Sequence, residues 1–278
     1  DERVRFFIGD VRDKERLNRA LDDIDIVIHA AALKHVPISE YNPFEFIKTN
    51  VIGAQNLIDA ALDKRVSNLI ALSTDKAVSP VNLYGATKLA AEKIFIAANN
   101  YSLKKFSVVK YGNVFNSRGS VLPFFIKQIQ NNEAITITDK KMTRFNISLE
   151  TGVKFVISSM LNMEGGETFI PKMDTIKIMD LITILKPSKG FKEIGIKPGE
   201  KIHEELISVS DNSIKIETKN YFVILPSTVN KKDKIVKSII KKNKGKLVYK
   251  NFSYNSNDAG ERLSLNNIKK LIKENYNI

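Results

Sequence analysis

Cysteine is absent from this sequence of 278 residues, which excludes disulfide bridges and every metal site that needs a cysteine ligand. No apolar run approaches the roughly 18 residues that a membrane-spanning helix requires. The N-terminal residues also lack the apolar core of a signal peptide. Together these absences favour a protein of a reducing compartment, and we expect a cytoplasmic location and no association with a membrane.

Histidine is scarce as well, with only three in the chain. His29 ends a predicted buried strand, where a packed core residue is the simplest interpretation. His35 and His203 share no ligand-like spacing with carboxylates. The sequence therefore predicts no metal site.

Positive charge is in excess, since 44 Lys and Arg oppose 31 Asp and Glu and leave a formal net charge of +13. Much of the excess falls late in the chain, at Lys231, Lys232, Lys234, Lys237, Lys241, Lys242, Lys244, Lys246 and Lys250. Few aromatic residues lie between these lysines, so a platform for stacking nucleic-acid bases is poorly supported. We favour a solvated helix face and expect no nucleic-acid partner, although the charge also suits an anionic small substrate.

Strands and helices alternate through the first half of the chain. The predicted strands are 4–8, 25–29, 68–73 and 106–111, and the predicted helices are 13–21, 43–64 and 83–100. Because the strands are continuously apolar, the pattern predicts an α/β fold with a doubly wound parallel sheet of the Rossmann type. In such sheets, ligands bind at the carboxyl ends of the strands.

The alternation is less regular after about residue 115. We predict strands at 135–138, 168–170 and 221–225, and helices at 123–130, 148–163, 176–185 and 265–276. We interpret residues 1–115 as a cofactor-binding domain. Residues 116–278 are interpreted mainly as a smaller α/β substrate lobe, part of which returns to the sheet.

A glycine-rich turn after the first strand is expected of a dinucleotide-binding fold, because it brings the pyrophosphate to a helix N-terminus. The motif G-x-G-x-x-G does not occur near residue 1. Either the fold is of another kind, or the N-terminal βαβ unit is missing from this chain.

The stretch 73–88 concentrates the chemistry of the sequence at the end of an apolar strand and the start of a helix. Tyr84 and Lys88 are four residues apart, which places both side chains on one face of that helix. A nearby ammonium group stabilises a phenolate and lowers the pKa of the tyrosine. Such a phenolate can remove the proton of a substrate hydroxyl while Thr74 hydrogen-bonds the same oxygen. The pair alone is a weak signal, but its position after Ser73-Thr74-Asp75 is not.

Asp75 and Lys76 add acid–base capacity beyond a simple oxidation. Oxidation of a sugar hydroxyl to a ketone acidifies the hydrogen on the neighbouring carbon. A lysine whose pKa is lowered by burial or by cations could remove that hydrogen, while a carboxylic acid protonates a leaving hydroxyl. The two residues therefore suggest a dehydration.

Several separate motifs, in the expected order, resemble the extended short-chain dehydrogenase/reductase family. More closely, they resemble the bacterial inverting UDP-N-acetylglucosamine 4,6-dehydratases of flagellin glycosylation and capsule synthesis. The matching segments are 6–13, 30–37, 49–56, 73–88, 111–114, 117–121, 142–145 and 197–205.

The resemblance implies a role for each catalytic residue. Lys76 would be the base at carbon 5, and Asp75 the acid toward the departing 6-hydroxyl. Tyr84 would be the base at the 4-hydroxyl, aided by Thr74, while Lys88 holds the nicotinamide ribose. Related sugar dehydratases carry a glutamate where this chain has Lys76, and a lysine there fits inversion at carbon 5.

The resemblance also implies the ligands and their contacts. The cofactor would be NADP, with NAD as the alternative, bound by Asp10, Val11, Ala30, Ala31, Lys34, Thr49, Ser73, Tyr84, Lys88 and Val114. The UDP-sugar would be bound by Asn113, Arg118, Gly119, Ser120, Val121, Leu122, Arg144, Lys197 and Glu200. Relatives assemble as oligomers, so we expect a homo-oligomer, a dimer or a hexamer.

Two other functions stay open at the level of sequence. A nucleotide-sugar 4-epimerase needs Tyr84 and Lys88 but has no use for the Asp75-Lys76 pair. A non-catalytic nucleotide-binding protein would be expected if the glycine-rich unit is truly absent.

Overall fold

The structure is a computed structural model that describes residues 1–117, 119–249, 251–258 and 262–276. The helices are α1 (Lys14–Ala20), α2 (Val36–Tyr41), α3 (Pro43–Phe46), α4 (Gly53–Asp63), α5 (Leu83–Ala97), α6 (Val121–Gln130), α7 (Leu149–Asn162), α8 (Ile178–Leu185), α9 (Lys234–Asn243) and α10 (Leu265–Asn275). A π-helical segment, Ile47–Ile52, joins α3 to α4, and short 3₁₀ turns span Asp75–Ala77 and Ala98–Asn100. None of the helices in the described ranges is both long and apolar enough to cross a bilayer.

The strands are β1 (Ile26–His29), β2 (Asn68–Thr74), β3 (Lys105–Tyr111), β4 (Asn113–Val114), β5 (Ile135–Ile137), β6 (Thr143–Ile147), β7 (Thr168–Pro171), β8 (Asp174–Lys177), β9 (Phe191–Glu193), β10 (Glu205–Ile207), β11 (Lys215–Glu217), β12 (Tyr221–Ile224), β13 (Lys246–Leu247) and β14 (Tyr254–Asn255). Within the described residues, seven of them form one sheet in the order β1-β2-β3-β7-β12-β11-β13. The first four strands in that order run parallel, and β12, β11 and β13 add antiparallel pairs.

Helices cover both faces of this sheet. Alternate residues of each strand point to opposite faces, so each strand contributes side chains to two cores. Leu69 and Ala71 of β2 pack in a core with α4 and α5. Ile70, between them, belongs to the other core, which holds Val156 of α7 and Val236 of α9. The expected α/β fold with a doubly wound, mostly parallel sheet is therefore confirmed.

A separate apolar cluster lies outside the sheet and unites α6, β5, α8 and α10. A further cluster at the junction contains Phe145 of β6, Ile170 of β7 and Leu206 of β10. Through it, the short strands β6 and β10 pack against the antiparallel part of the sheet. This packing brings residues from late in the chain toward the carboxyl ends of the parallel strands.

The prediction of a strand at 4–8 was wrong. A strand needs a neighbour to pair its backbone groups, and β1 pairs only with β2 within the described residues. Phe6 and Ile8 are almost fully exposed, and Arg16 Nε donates a hydrogen bond to the Ile8 carbonyl at 2.6 Å. The helix predicted at 176–185 also starts later, because residues 174–177 form β8 and pair with β6.

Candidate active site

A cavity of about 420 Å³ opens at the carboxyl ends of β2 and β3 and beside the residues that follow β1. Eleven of the predicted site residues line it: Ala30, Lys34, Ser73, Thr74, Lys76, Tyr84, Lys88, Asn113, Val114, Gly119 and Ser120. His35, Tyr111 and Gly112 also line it, although they had no predicted role. A second cavity of about 500 Å³ runs along α5 but is not lined by Thr74, Lys76 or Tyr84.

Thr74, Asp75 and Lys76 are fixed by the end of β2 and the 3₁₀ turn that follows it. The Thr74 hydroxyl donates to Asp75 Oδ1 at 2.9 Å, and Lys76 Nζ donates to the same oxygen at 3.1 Å. Asp75 is fully buried, and its Oδ2 has no hydrogen-bond partner among the described residues. Gly112 leaves room for this carboxylate, since a Cβ at that position would lie 3.3 Å from Oδ2 and 2.5 Å from Phe145 Cβ.

Two residues from late in the chain complete the charge balance around Lys76. Glu204 Oε1 lies 3.4 Å from Lys76 Nζ and 3.9 Å from Arg144 Nε. The Arg144 guanidinium donates to the carbonyls of Thr143, Lys201 and Ile202, so its position is fixed by backbone. Two cations and two carboxylates therefore alternate at the floor of the site.

The pKa of Lys76 is raised, opposite to the direction expected from the sequence. Burial acts to lower the pKa of this lysine, but the carboxylates of Asp75 and Glu204 together outweigh burial and the repulsion from Arg144. The expected lowering of this pKa took account of burial and nearby cations, but the sequence did not show that the Glu204 carboxylate would lie close to the amine. Lys76 is therefore an ammonium group in the protein alone.

Tyr84 and Lys88 lie on α5, both buried, as their spacing predicts. Burial raises the pKa of Tyr84, and neither the ammonium of Lys76 nor a hydrogen bond with Thr74 reverses that shift. The expected lowering by Lys88 is not found, because Lys88 Nζ donates to the Leu72 carbonyl at 2.7 Å. Burial lowers the pKa of Lys88 to about 8, with Glu92 acting in the opposite direction.

The start of α5 is held close to the 75–77 turn. Asn82 caps the helix by accepting a hydrogen bond from the Gly85 N–H at 2.8 Å, and it donates to the Gly199 carbonyl at 2.8 Å. Lys201 Nζ donates to the Val78 carbonyl at 2.6 Å. A Cβ on Gly85 would lie 2.1 Å from the Lys76 carbonyl oxygen, so only glycine permits this approach. The helix, the turn and residues 199–201 are thus one packed unit.

Two buried polar atoms fit the polar groups of a ligand. Asn113 Oδ1 and Ser120 Oγ have no partner among the described residues, and both residues line the cavity. They also line a small adjoining cavity of about 40 Å³, together with Val121, Leu122 and Arg144. A buried polar atom without a partner is rare in folded proteins, and a bound ligand is one way to satisfy it.

Other predicted site residues do not line these cavities. Asp10 is exposed and paired with Arg12 at 2.7 Å; the hydrogen bond from Arg12 lowers the pKa of Asp10 to about 2. Val11, Ala31, Thr49 and Glu200 are also outside, as is Lys197, which is exposed in a turn. Arg118 lies outside the described residues. None of the described His, Asp and Glu residues form a group of three suited to a metal ion.

Three structural residues had no predicted role. Asn50 bonds both backbone groups of Leu33 at 2.9 Å and the Thr87 hydroxyl at 3.0 Å, which ties the cavity wall to α5. Glu92 pairs with Lys110 at 2.9 Å and accepts a hydrogen bond from Ser73. Glu204 is the third. Its only signal in the sequence was its place within the matching segment 197–205.

Comparison with known proteins shows a family match and relatives whose names describe enzymes of nucleotide sugars. Residues 1–226 match the protein family described as Polysaccharide biosynthesis protein. A UDP-N-acetylglucosamine 4,6-dehydratase (inverting) of Campylobacter jejuni is 55% identical over 92% of this chain and 78% of that relative. A UDP-glucose 4-epimerase of Rickettsia bellii is 40% identical over 80% of this chain and 67% of that relative. The solved structure of Pen from Bacillus thuringiensis has a TM-score of 0.86 at 37% identity, over 99% of this chain and 83% of that one.

Proposed function

The chain belongs to the family of polysaccharide biosynthesis proteins within the extended short-chain dehydrogenase/reductases, and we propose that it is a nucleotide-sugar 4,6-dehydratase. The proposed substrate is UDP-N-acetylglucosamine, and carbon 5 is inverted in the product. The observation that carries the proposal is the contact of Lys76, which lines the same cavity as Tyr84 and Lys88, with the Asp75 carboxylate buried beneath it. That arrangement provides one acid–base group for an oxidation and two for an elimination.

Tyr84, Thr74 and Lys88 form the proposed oxidation site. Tyr84 accepts the proton of the 4-hydroxyl, and the hydroxyl of Thr74 lies within hydrogen-bond reach of the phenol. A bound NADP, the cofactor that we propose, would supply the hydride acceptor, and its positive ring would act against burial and lower the pKa of Tyr84. The buried ammonium of Lys88 is suited to hold the hydroxyl groups of a ribose.

Asp75 and Lys76 form the proposed elimination site. The reaction needs a neutral amine to remove the proton from carbon 5 and a neutral acid to protonate the departing 6-hydroxyl. The resting ion pair holds the same number of protons, because transfer of one proton along the 3.1 Å hydrogen bond gives both neutral groups. After elimination, Lys76 carries the carbon 5 proton, Asp75 is a carboxylate, and water has left.

The proposed UDP-sugar contacts lie on the other wall of the cavity. Asn113 Oδ1 and Ser120 Oγ are free to bond sugar or nucleotide groups, and Arg144 offers positive charge near the diphosphate. We retain Arg118, Gly119, Val121, Leu122, Lys197 and Glu200 as proposed substrate contacts. On the cofactor side, we retain Asp10, Val11, Ala31 and Thr49 for the part of the NADP that extends beyond this cavity.

A UDP-sugar 4-epimerase is the alternative, since a UDP-glucose 4-epimerase is 40% identical to the chain. Epimerisation needs Tyr84 and Lys88 but no group that acts at carbon 5 or at the 6-hydroxyl. Asp75 and Lys76 would then have no chemical role. Their direct contact, and the burial of Asp75 beneath the cavity, favour the dehydratase.

The two functions are separated by incubating the protein with UDP-N-acetylglucosamine and NADP in heavy water. A dehydratase releases water and incorporates deuterium at carbon 5 with inversion. The Lys76→Ala and Tyr84→Phe variants should lose this activity almost completely. Lys93→Ala, a control on the exposed side of α5, should retain it. An intact 4-epimer as the only product of the unmodified protein would contradict the proposal.

A further inference from the structure

Glu204 is a buried carboxylate that the proposed reaction has not yet used. Its side chain is 4% exposed, and its Oε1 approaches Lys76 Nζ and Arg144 Nε at 3.4 and 3.9 Å. Its Oε2 has no hydrogen-bond partner among the described residues. A buried carboxylate with one unsatisfied oxygen carries a large desolvation cost, so its position calls for a functional explanation.

The backbone of Glu204 is fixed from two sides. Its N–H donates to Ser256 Oγ at 2.9 Å, and its carbonyl accepts from the Ser256 N–H at 2.8 Å. Ser256 Oγ also lies 2.7 Å from Thr143 Oγ1, beside Arg144 in β6. The carboxylate is therefore held in place by β6 and by residues near β14, independently of the 75–77 turn that carries Lys76.

Four charged or titratable groups face the Lys76 amine. Asp75 comes from its own turn, Glu204 from the residues before β10, Arg144 from β6 and Tyr84 from α5. Of these, only Glu204 has a negative charge that is free to remain throughout the reaction. Asp75 must first become neutral to protonate the leaving hydroxyl, and it regains its negative charge only as that proton leaves.

We propose that Glu204 is a positioning residue that orients the Lys76 amine toward carbon 5 and strengthens it as a base. The inference rests on the proposed function. As the C–H bond at carbon 5 breaks, its proton moves to Lys76 Nζ and its electrons form a double bond to carbon 6. The 6-hydroxyl leaves with the proton of Asp75 as water. The positive charge that develops on Nζ is then stabilised by the Glu204 carboxylate at short range.

The test is the pH dependence of the single-turnover rate of deuterium incorporation at carbon 5. Glu204→Gln keeps the shape and removes the charge, so the limb on which the rate falls, as the Lys76–Asp75 pair loses its shared proton, should move to lower pH by about one unit. The plateau rate should fall while KM changes little, because Lys76 acts on the reaction rather than on binding. Glu204→Asp keeps the charge and should keep the limb near its original pH. Glu205→Gln, the neighbouring carboxylate in β10, is the matched control and should leave the profile unchanged.

A second measurement does not depend on turnover. Lys76 is 25% exposed, so an amine-reactive anhydride can label it, and peptide mass spectrometry can report the pH of half-reaction. That pH should be lower in Glu204→Gln than in the unmodified protein and in Glu205→Gln. Coincident labelling curves, or coincident rate limbs, would overturn the inference. If the unmodified protein makes no product, the proposed function fails, while the labelling still decides whether Glu204 controls Lys76.

Discussion

Burial of the Lys88 ammonium lowers the stability of the folded protein, and a Lys88→Met variant should regain that stability. The residue is only 6% exposed, and burial lowers its pKa from 10.5 to about 8. At about 1.4 kcal/mol per unit, a shift of that size corresponds to about 3 kcal/mol of lost stability at neutral pH. Methionine has a similar length and fills the same space without a charge.

The variant also loses the hydrogen bond from Nζ to the Leu72 carbonyl, which costs about 1–3 kcal/mol if that oxygen finds no other partner. We therefore expect a net stabilisation of about 1 kcal/mol near pH 7, together with loss of the proposed activity. The sign of the pH dependence follows from proton binding. Between the folded and unfolded pKa values, the unfolded chain binds more protons, so the stability of the unmodified protein rises with pH.

Urea unfolding, followed by circular dichroism at about pH 7 and about pH 9.5, measures this difference. The free energy of unfolding of the unmodified protein should rise by about 2 kcal/mol relative to that of Lys88→Met across that interval. The reason is that Lys88 loses its proton in the folded state at a lower pH than in the unfolded chain. The tyrosines with raised pKa values are common to both proteins and cancel. A variant that is less stable near pH 7 and follows the same pH dependence would refute the reasoning.

Two further predictions concern the elements that hold α5 against the sheet. Glu92→Ala should destabilise the protein by about 3–5 kcal/mol in urea unfolding, because it leaves Lys110 buried without its partner. The double variant Glu92→Leu/Lys110→Met should recover most of that loss, and equal instability of the single and double variants would contradict this account. Gly85→Ala should lower both the proposed activity and the stability, the latter by about 1–3 kcal/mol, because its Cβ would collide with the Lys76 carbonyl. Gly152→Ala in α7 meets no atom within 4 Å and should not destabilise, so equal losses in the two alanine variants would contradict the close-approach argument.

Local patterns predicted much of the fold. Asp13 and Ser148, the first residues of the predicted helices 13–21 and 148–163, cap α1 and α7, and their side chains accept hydrogen bonds from Arg16 N–H and Thr151 N–H. The bounds of β2, β3 and α5 lie within a few residues of the predicted ones. These features depend on periodicity and capping within a dozen residues, which a single sequence contains.

Features that depend on distant partners could not be predicted in the same way. Residues 4–8 have the apolar pattern of a strand, but a strand forms only where another backbone is present to pair with it. Residues 174–177 became β8 because 143–147 lies beside them in space. The short strands at 205–207 and 215–217 are likewise set by their pairing with residues 254–255 and 221–224.

The candidate site shows the same contrast between local features and features that depend on distant residues. Tyr84 and Lys88 were found from their spacing, but the direction of the pKa shift of Tyr84 was not, because burial outweighs the charges nearby. For Lys76, burial lowers the pKa while two carboxylates raise it, and one of these carboxylates comes from far along the chain. The strength of each effect depends on distances of a few ångströms that the sequence does not contain.

This division bears on how one fold can support both epimerisation and dehydration. The groups that we propose for reversible oxidation all come from the local stretch around Tyr84, whose geometry is set by one strand and one helix. Elimination also needs a lysine basic enough to remove a proton from carbon. Its charge environment is completed by Glu204 and Arg144, which reach Lys76 only through the packing of β6 and of the residues before β10. Substitutions in that packing should therefore weaken proton removal at carbon 5 while leaving oxidation at carbon 4 intact.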